Sequence, residues 1–565
     1  MKLSSLGLVI LALSALASIG AAQCEQQKIE GTGLQDGDNF GNAVAVSGNW
    51  AIVGASHADD ILVESGAAYV FERTASGWVE RQRLKASDPA TNAGFGHSLQ
   101  IEGTTIAVGA PGAYHQGIQY VGAVYIFELS GGTWTQTWKL TPGDAAMNYA
   151  CGYSVALSGS RLIAGAIGEW HMGLHTGAAY IFEKIAGTWT QLAKVIASDG
   201  DIGHNFGYSV ALQGDLAVVG AVGVPQGTIG NVGAAYVFEK QGTQWPETQK
   251  LHPPNPSPTQ YYAFSIGLTS DSILVGASNN HLGATAGGAV FIYQHPAAYW
   301  VQTQILMPAD LATSDYFGTS LSVSGEHVVI GSYSADLAPA EGASYIFREV
   351  GSTWIQAGKC LASDLVYGDA MGHAAIDGST VLIPNPRYDG ACPGVVTCNS
   401  GSAYFFEFAP DTVQYGSCAG GGICGNSDGH GGCVNSTGQG AVLGAYGTSS
   451  VAADDLVLEG RWLPPGVNAI CFMGRDSTNV LLGDGLRVAE SGHGSSLYRF
   501  PAMSASPTGV LALGPGIVSA SGAFAPLGQI QPGQNWNFQV WYRDVGGPCG
   551  SGTNTSNGLT VVFAP

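Results

Sequence analysis

The sequence predicts an all-β protein, most of it one four-stranded unit repeated seven times, and three observations predict it. An aromatic-Gly pair opens an apolar strand at Phe40, Phe95, Cys151, Phe206, Tyr262, Phe317 and Met371, in steps of 54 to 56 residues. Connections inside the unit keep fixed lengths. No long segment with a 3.6-residue period interrupts the short alternating strands. Such units stacked seven times form a β-propeller. The expected architecture is a seven-bladed β-propeller over 23–410, closed by an N-terminal strand. A Gly/Cys-rich linker over 411–434 and a small C-terminal β-sandwich-like module over 435–565 follow.

The chain opens with Met1-Lys2, an apolar run from Leu6 to Ala17, and Gly20-Ala21-Ala22. This reads as a secretory signal peptide over 1–22, cut before Gln23. The expected localisation is therefore secreted, extracellular or cell-surface, with no membrane insertion in the mature chain. The 10 Cys include Cys392 and Cys398 in one loop, and Cys418, Cys424, Cys433, Cys471 and Cys549 toward the C-terminus. With no paired Cys-x2-Cys knuckles, disulfides are expected rather than metal. Cys151 and Cys360 fall on strand positions and are expected to be buried as small hydrophobes.

Within each unit the second strand ends near Gly54, Gly109, Gly165, Gly220, Gly276, Gly331 and Pro384. The third strand starts at Gly66, Gly122, Gly177, Gly233, Gly288, Gly342 and Gly401, and the fourth at Trp78, Trp134, Trp189, Trp245, Trp300 and Trp354. From third-strand aromatic to Trp is nine residues, from Trp to the fourth-strand apolar residue six, and from there to the next anchor eleven. Only the second-to-third connection varies, from 11 to 17 residues. Fixed connections imply fixed register.

Six Trp serve seven units, and the last unit lacks a fourth strand of its own. Ile29 stands eleven residues before Phe40, so Gln26 to Glu30 matches Gln82 to Ala86. The N-terminal strand is expected to pair beside Ala403 to Phe408 and so remove an open edge.

The pattern Phe-Gly, Val-Gly-Ala, Gly-Ala-Ala-Tyr-Val-Phe, with Gly109-Ala110-Pro111 in full, resembles the FG-GAP repeat of integrin alpha heads, closest to its bacterial secreted form. The resemblance implies a seven-bladed propeller and suggests adhesion or binding, although a shared fold does not transfer function. It departs from the integrin pattern at the first-to-second turns, such as Ser47-Gly48-Asn49 and Gln213-Gly214-Asp215, where an Asp-rich calcium loop is missing. Calcium needs six to eight oxygen ligands, so no cofactor is expected. Asp88, Asp144, Asp199, Asp310 and Asp364 recur before the anchors and are read as Asx-turns. Asp199-Gly200-Asp201 and Asp36-Gly37-Asp38 are the remaining calcium candidates.

Charge excludes some partners. The 565 residues carry 20 Lys+Arg against 41 Asp+Glu, a formal net charge of −21, which disfavours nucleic acid and anionic membranes. Only 11% of residues are charged and 84 are Gly, as suits a chain of tight turns. No nucleophile elbow, zinc helix or phosphate loop occurs. Candidate ligand-binding residues lie in the second-to-third loops: His57, Asp59, Asp60, Tyr114, His115, Trp170, His171, His175 and His281. The expected function is binding or adhesion to an extracellular protein or glycan through rim loops. The alternatives are a carbohydrate-active lyase or hydrolase, or a surface-layer component. Two acids meeting a Tyr or His in the central funnel would favour the enzyme, and aromatics without converging acids would favour binding. The tail, with alternating runs at Val451 to Leu458, Ala469 to Met473, Gly509 to Leu513, Trp536 to Tyr542 and Leu559 to Phe563, reads as the second module.

Overall fold

The computed structural model describes residues 24–563 apart from positions 60, 172, 297–298, 309–310, 334–341, 351–352, 363–371, 388–399, 408–411, 416–434, 438–439, 447–450, 453, 455, 483–484, 491–496, 507–508 and 547–551. The leader stretch, Asp60, Asp310, Asp364 and six of the expected disulfide cysteines (392, 398, 418, 424, 433 and 549) lie outside the described residues. The described part is almost entirely β. Up to residue 407, seven four-stranded antiparallel sheets follow one another along the chain. The first comprises Val44–Ser47, Trp50–Ala55, Ala67–Thr74 and Gly77–Leu84. In the seventh, Ala375–Asp377, Thr380–Asn385 and Ser402–Glu407 are joined by the N-terminal strand Cys24–Ile29, with Ile29 opposite Ala403 and Lys28 opposite Tyr404.

One irregularity shows that this N-terminal strand occupies the same place as every other outer strand. Between third and fourth strands, each sheet has one extra residue on the outer strand. The extra residue is Arg81 in the first sheet, Thr137 in the second and Thr248 in the fourth. Cys24–Ile29 bulges in the same register at Gln26. A bulge bends and twists its strand locally, so the repeat gives each sheet the same curvature.

Apolar side chains pack between sheets. Each neighbouring pair shares one cluster, for instance Phe95, Ile106, Tyr125 and Trp134 of the second sheet with Ile52, Val70 and Leu84 of the first. The seventh and first sheets share an equivalent one: Ile29, Leu382 and Phe405 meet Phe40, Val53, Tyr69 and Trp78. Trp78 stacks on Phe405 with ring centroids 4.1 Å apart. Main-chain contacts repeat as well. Phe95 N–H donates to the Ser65 carbonyl at 3.1 Å, Cys151 N–H to Val121 at 3.0 Å, and Phe40 N–H to Ser400 at 3.0 Å. Gly122 sits at this seam with φ 78°, paired with Cys151. A Cβ there would lie 2.2 Å from the Cys151 carbonyl oxygen, so glycine is required by both conformation and space.

The tail forms its own core. Strands Val442–Tyr446, Val457–Arg461 and Leu511–Leu513 make one sheet. Asn468–Gly474, Asn535–Asp544 and Gly558–Val562 make the centre of another. Leu443, Leu458 and Leu511 from the first pack with Met473, Trp536, Phe538 and Leu559 from the second. Thr412–Tyr415, placed by the sequence reading at the start of the linker, pairs with Gly558–Val562 and extends this sheet. Cys471 corrects a second expectation. It is a buried free thiol on the core side of Asn468–Gly474, in line with Ala469 and Met473. Cys151 and Cys360 are buried, as their strand positions predict. Among the described residues no helix is long and apolar enough to cross a membrane.

Candidate functional site

The innermost strands of the seven sheets line one channel of about 1090 Å³. Its lining at the anchor end is set by the residue that follows each aromatic-Gly pair. That column reads Asn42, His97, Tyr153, Tyr208, Phe264, Thr319 and His373, and all seven line the channel. Alternation along a strand turns every second side chain to the same face, so a repeated register becomes a ring of side chains. Neighbouring rings touch in series. His97 and Tyr153 are 4.8 Å apart between centroids, Tyr153 and Tyr208 5.3 Å, and Tyr208 and Phe264 5.0 Å, all tilted.

The next residue in the column fastens the ring. Ser98 Oγ donates to the Gly152 carbonyl at 2.8 Å, Ser154 Oγ to Gly207 at 2.8 Å, Ser209 Oγ to Ala263 at 2.7 Å and Ser265 Oγ to Gly318 at 2.8 Å. In the first sheet Asn42 takes over, its Nδ2 donating to the Gly96 and His97 carbonyls. Each bond ties one innermost strand to the next, which holds the ring of side chains in place.

This end is rich in imidazole. Burial, with His57 and His373 close by, pushes His97 down to about 4, so its ring is uncharged at neutral pH. Burial also lowers His373. The Arg387 guanidinium lies 5.3 Å from the Tyr333 ring centroid beside the channel. The lining carboxylates, Glu102 and Asp377, sit at the first-to-second turns. Glu102 is five residues, or roughly 16 Å of strand, beyond His97. Both are engaged: Glu102 accepts the Gly159 N–H at 2.9 Å and Asp377 the Gly48 N–H at 2.6 Å. They do not meet the aromatic ring.

Of the described loop residues that the sequence singled out, His57 alone reaches the channel lining. Its Nδ1 contacts Asn39 Nδ2 at 3.2 Å and Ser56 Oγ at 3.1 Å. Trp170, His171 and His175 share a small hairpin, where the Trp170 and His175 rings are 3.8 Å apart and Trp170 is exposed. Tyr114 packs edge-on to Tyr120, and His115 bridges Ile118 in a tight turn. Asp59 accepts the Glu64 N–H at 2.7 Å and shapes its own loop. His281 is exposed in the fifth sheet's loop. Apart from His57, the described candidates do not join the channel lining. The convergent residues His97, Tyr153, Tyr208, Phe264 and His373 were missed, although one column of the aligned repeat contains them all.

The recurring aspartates also need correction. Their carboxylates chiefly hold side chains of the next sheet rather than turn amides. Asp88 accepts from Tyr125 Oη at 2.9 Å and Lys139 Nζ at 2.6 Å, Asp144 from Tyr180 at 2.9 Å and Lys194 at 2.6 Å, and Asp199 from Tyr236 at 2.7 Å and Lys250 at 2.6 Å. A carboxylate paired with an ammonium and a phenol has little left to offer calcium. The other candidate pairs act locally, Asp38 accepting the Gln35 N–H and Asp201 the Ile202 N–H.

Comparison with known families agrees with this register. A family model for the FG-GAP repeat matches residues 24–71, 78–127, 134–182, 189–238 and 300–347. Each match opens at the outer strand of one sheet and closes on the third strand of the next, and the first opens at Cys24. The two units without a match carry Tyr262-Ala263 and Met371-Gly372 at the anchor. A comparison with curated proteins gives no match. With five copies of that repeat in phase with its sheets, the chain is an FG-GAP repeat protein.

Proposed function

We propose that the protein is an extracellular recognition protein, a seven-bladed propeller closed by its N-terminal strand, whose ligand sits at the anchor end of the central channel. Closure is supported by the equivalent apolar clusters between successive sheets, including that between the seventh and the first. Export is supported by the apolar leader of residues 6–17 and the small residues that follow it. The observation that carries the binding reading is the composition of the channel mouth. Contiguous aromatic rings and neutral imidazoles meet there, while the two acids among the described lining residues are at the far end and already bonded. Glycoside cleavage needs a pair of carboxyl groups flanking one bond, and lyase chemistry needs a base within hydrogen-bond reach of its proton. Aromatic side chains beside a few fixed polar groups suit binding.

The test is to screen the purified chain against arrayed glycans and extracellular matrix proteins, with product assays run in parallel. Retention of a partner without turnover is expected, and it should be lost on Tyr208→Ala. Release of reducing ends or unsaturated sugars from any polysaccharide, abolished by a mouth substitution, would establish the enzyme instead.

A further inference from the structure

The channel mouth has two unlike halves, and their arrangement specifies a ligand class. On one side, Tyr153, Tyr208 and Phe264 form an unbroken aromatic arc from the third to the fifth sheet. On the other, His373, His57 and His97 span the seventh, first and second sheets and offer imidazole nitrogens. A molecule that satisfies both halves must have an apolar face and a hydroxyl-bearing edge. A pyranose ring has that shape: axial C–H groups on its faces and hydroxyls around its rim.

Backbone conformation points the same way. In the first six sheets the residue before the anchor adopts a left-handed conformation, filled in the first four by Asn39, Gly94, Ala150 and Asn205, all small or tolerant of it. The fifth and sixth sheets place Tyr261 and Tyr316 there, at φ 51° and 53°, and both line the channel. Bulky residues are strained in that region. Local strain of this kind clusters at ligand sites, and here it adds two phenols to the aromatic side of the mouth.

Charge narrows the class further. A cation would enter beside the Arg387 guanidinium already resting on Tyr333, with no carboxylate at that end among the described lining residues. An anion would approach a chain of net charge −21. An uncharged ligand meets neither obstacle.

We propose that the mouth binds an uncharged saccharide end-on, one sugar ring lying against Tyr153, Tyr208 and Phe264 while its hydroxyls bond to His57, His97 and His373. This rests on the binding reading above and names its ligand class. The channel volume of about 1090 Å³ exceeds the needs of a single ring, so a chain end of several units fits. Trp170 and its hairpin lie outside this site.

The probes are uncharged β-1,4-glucan, xylan, chitin and α-1,4-glucan oligosaccharides on an array, followed by calorimetric titration of the strongest binder into the full chain. Tyr208→Ala should weaken binding by about tenfold or more, since it removes both the aromatic contact and the apolar area the ring buries. Tyr208→Phe keeps the ring and should stay within about threefold of the parent. It also controls for misfolding, and Trp170→Ala should leave affinity unchanged. If no oligosaccharide binds but a Lys/Arg-rich peptide does, and Tyr208→Ala abolishes that, the saccharide is wrong and the mouth stands as the site. If an oligosaccharide binds equally to Tyr208→Ala and the parent, both the seat and this inference fail.

Discussion

Gln27 holds Trp78 through both ends of one amide. Its Nε2 donates to the Trp78 carbonyl at 2.8 Å, and its Oε1 accepts the Trp78 N–H at 2.7 Å. The same clasp joins Gln82 to Trp134, Gln249 to Trp300 and Gln304 to Trp354. In each case the glutamine follows the bulged residue of one outer strand and reaches the next sheet's outer strand. Gln27→Ala leaves a half-buried N–H and C=O of Trp78 without that partner, at a cost of about 1–3 kcal/mol. The urea midpoint should fall with an unchanged slope. An unchanged midpoint would mean that the clasp contributes nothing to stability.

Acid should loosen the seams between sheets. Burial works to raise the carboxyls of Asp144 and Asp199, but their bonds to Lys194 and Tyr180, and to Lys250 and Tyr236, outweigh it and hold both below the ordinary value of 3.8. Groups depressed by folding stabilise fully above their unfolded value and lose that contribution as pH falls through the folded one. Lys194 is the mirror case. Burial lowers it, yet bonds to Asp144 and Glu169 raise it above 10.5, so its contribution fades only as pH climbs past that value. Thermal midpoints of the parent and Asp144→Asn should therefore differ most between about pH 5 and 10 and converge as pH falls below the depressed carboxyl value, under 3.8. Partial exposure keeps the difference small. A gap of constant size at every pH would count against the pairing.

Two glycines separate conformation from space. Gly117 and Gly122 have φ of 81° and 78°, but a Cβ at Gly117 would meet nothing within 4 Å while one at Gly122 would strike the Cys151 backbone. Gly117→Ala should cost about 1–2 kcal/mol, the left-handed penalty alone. Gly122→Ala should exceed about 3 kcal/mol, because the seam must also open. Denaturant unfolding of both variants checks this, and equal losses would show that the seam yields freely.

The thiols of Cys151 and Cys471 are pushed up to about 12 by burial. Since only thiolate reacts appreciably, neither should take up a maleimide in the native protein at pH 7. Both should label once the chain is unfolded, as read by peptide mass mapping. Native labelling of Cys471 would place it outside the core of the tail.

Much of the fold was legible because its determinants are local and repeated. The Phe-Gly anchors, the Gly at each seam and the constant Trp spacing fix register within about 55 residues, and Ile29 carries the same spacing into the N-terminal strand. The site was less legible because it is a property of the ring. His97, Tyr153, Tyr208, Phe264 and His373 look like ordinary alternating residues until seven copies are superposed. The loop histidines drew attention through their chemistry, yet their loops stand apart. The aspartates were misread because their partners are in the next sheet, Tyr125 lying 37 residues and Lys139 51 residues after Asp88. That coupling leaves a trace in the columns. Where Gly33 and Asn255 replace the aspartate, Arg83 and Ile305 replace the lysine.

The partnership of Cys24–Ile29 with Ser402–Glu407 also sets a clock during synthesis. The strand made first must wait for 373 further residues, from Ile29 to Ser402, before its partner exists. At roughly 5–20 residues per second the wait is on the order of tens of seconds. For that time its main-chain edge is open to every strand that emerges in between. Its sequence, CEQQKI, is only sparsely apolar, with Glu25, Lys28 and the following Glu30 placing charge along it. Charged edges resist casual pairing. The composition of this strand thus serves the unfinished chain as much as the finished one, keeping the first-made segment unattached until the last sheet arrives.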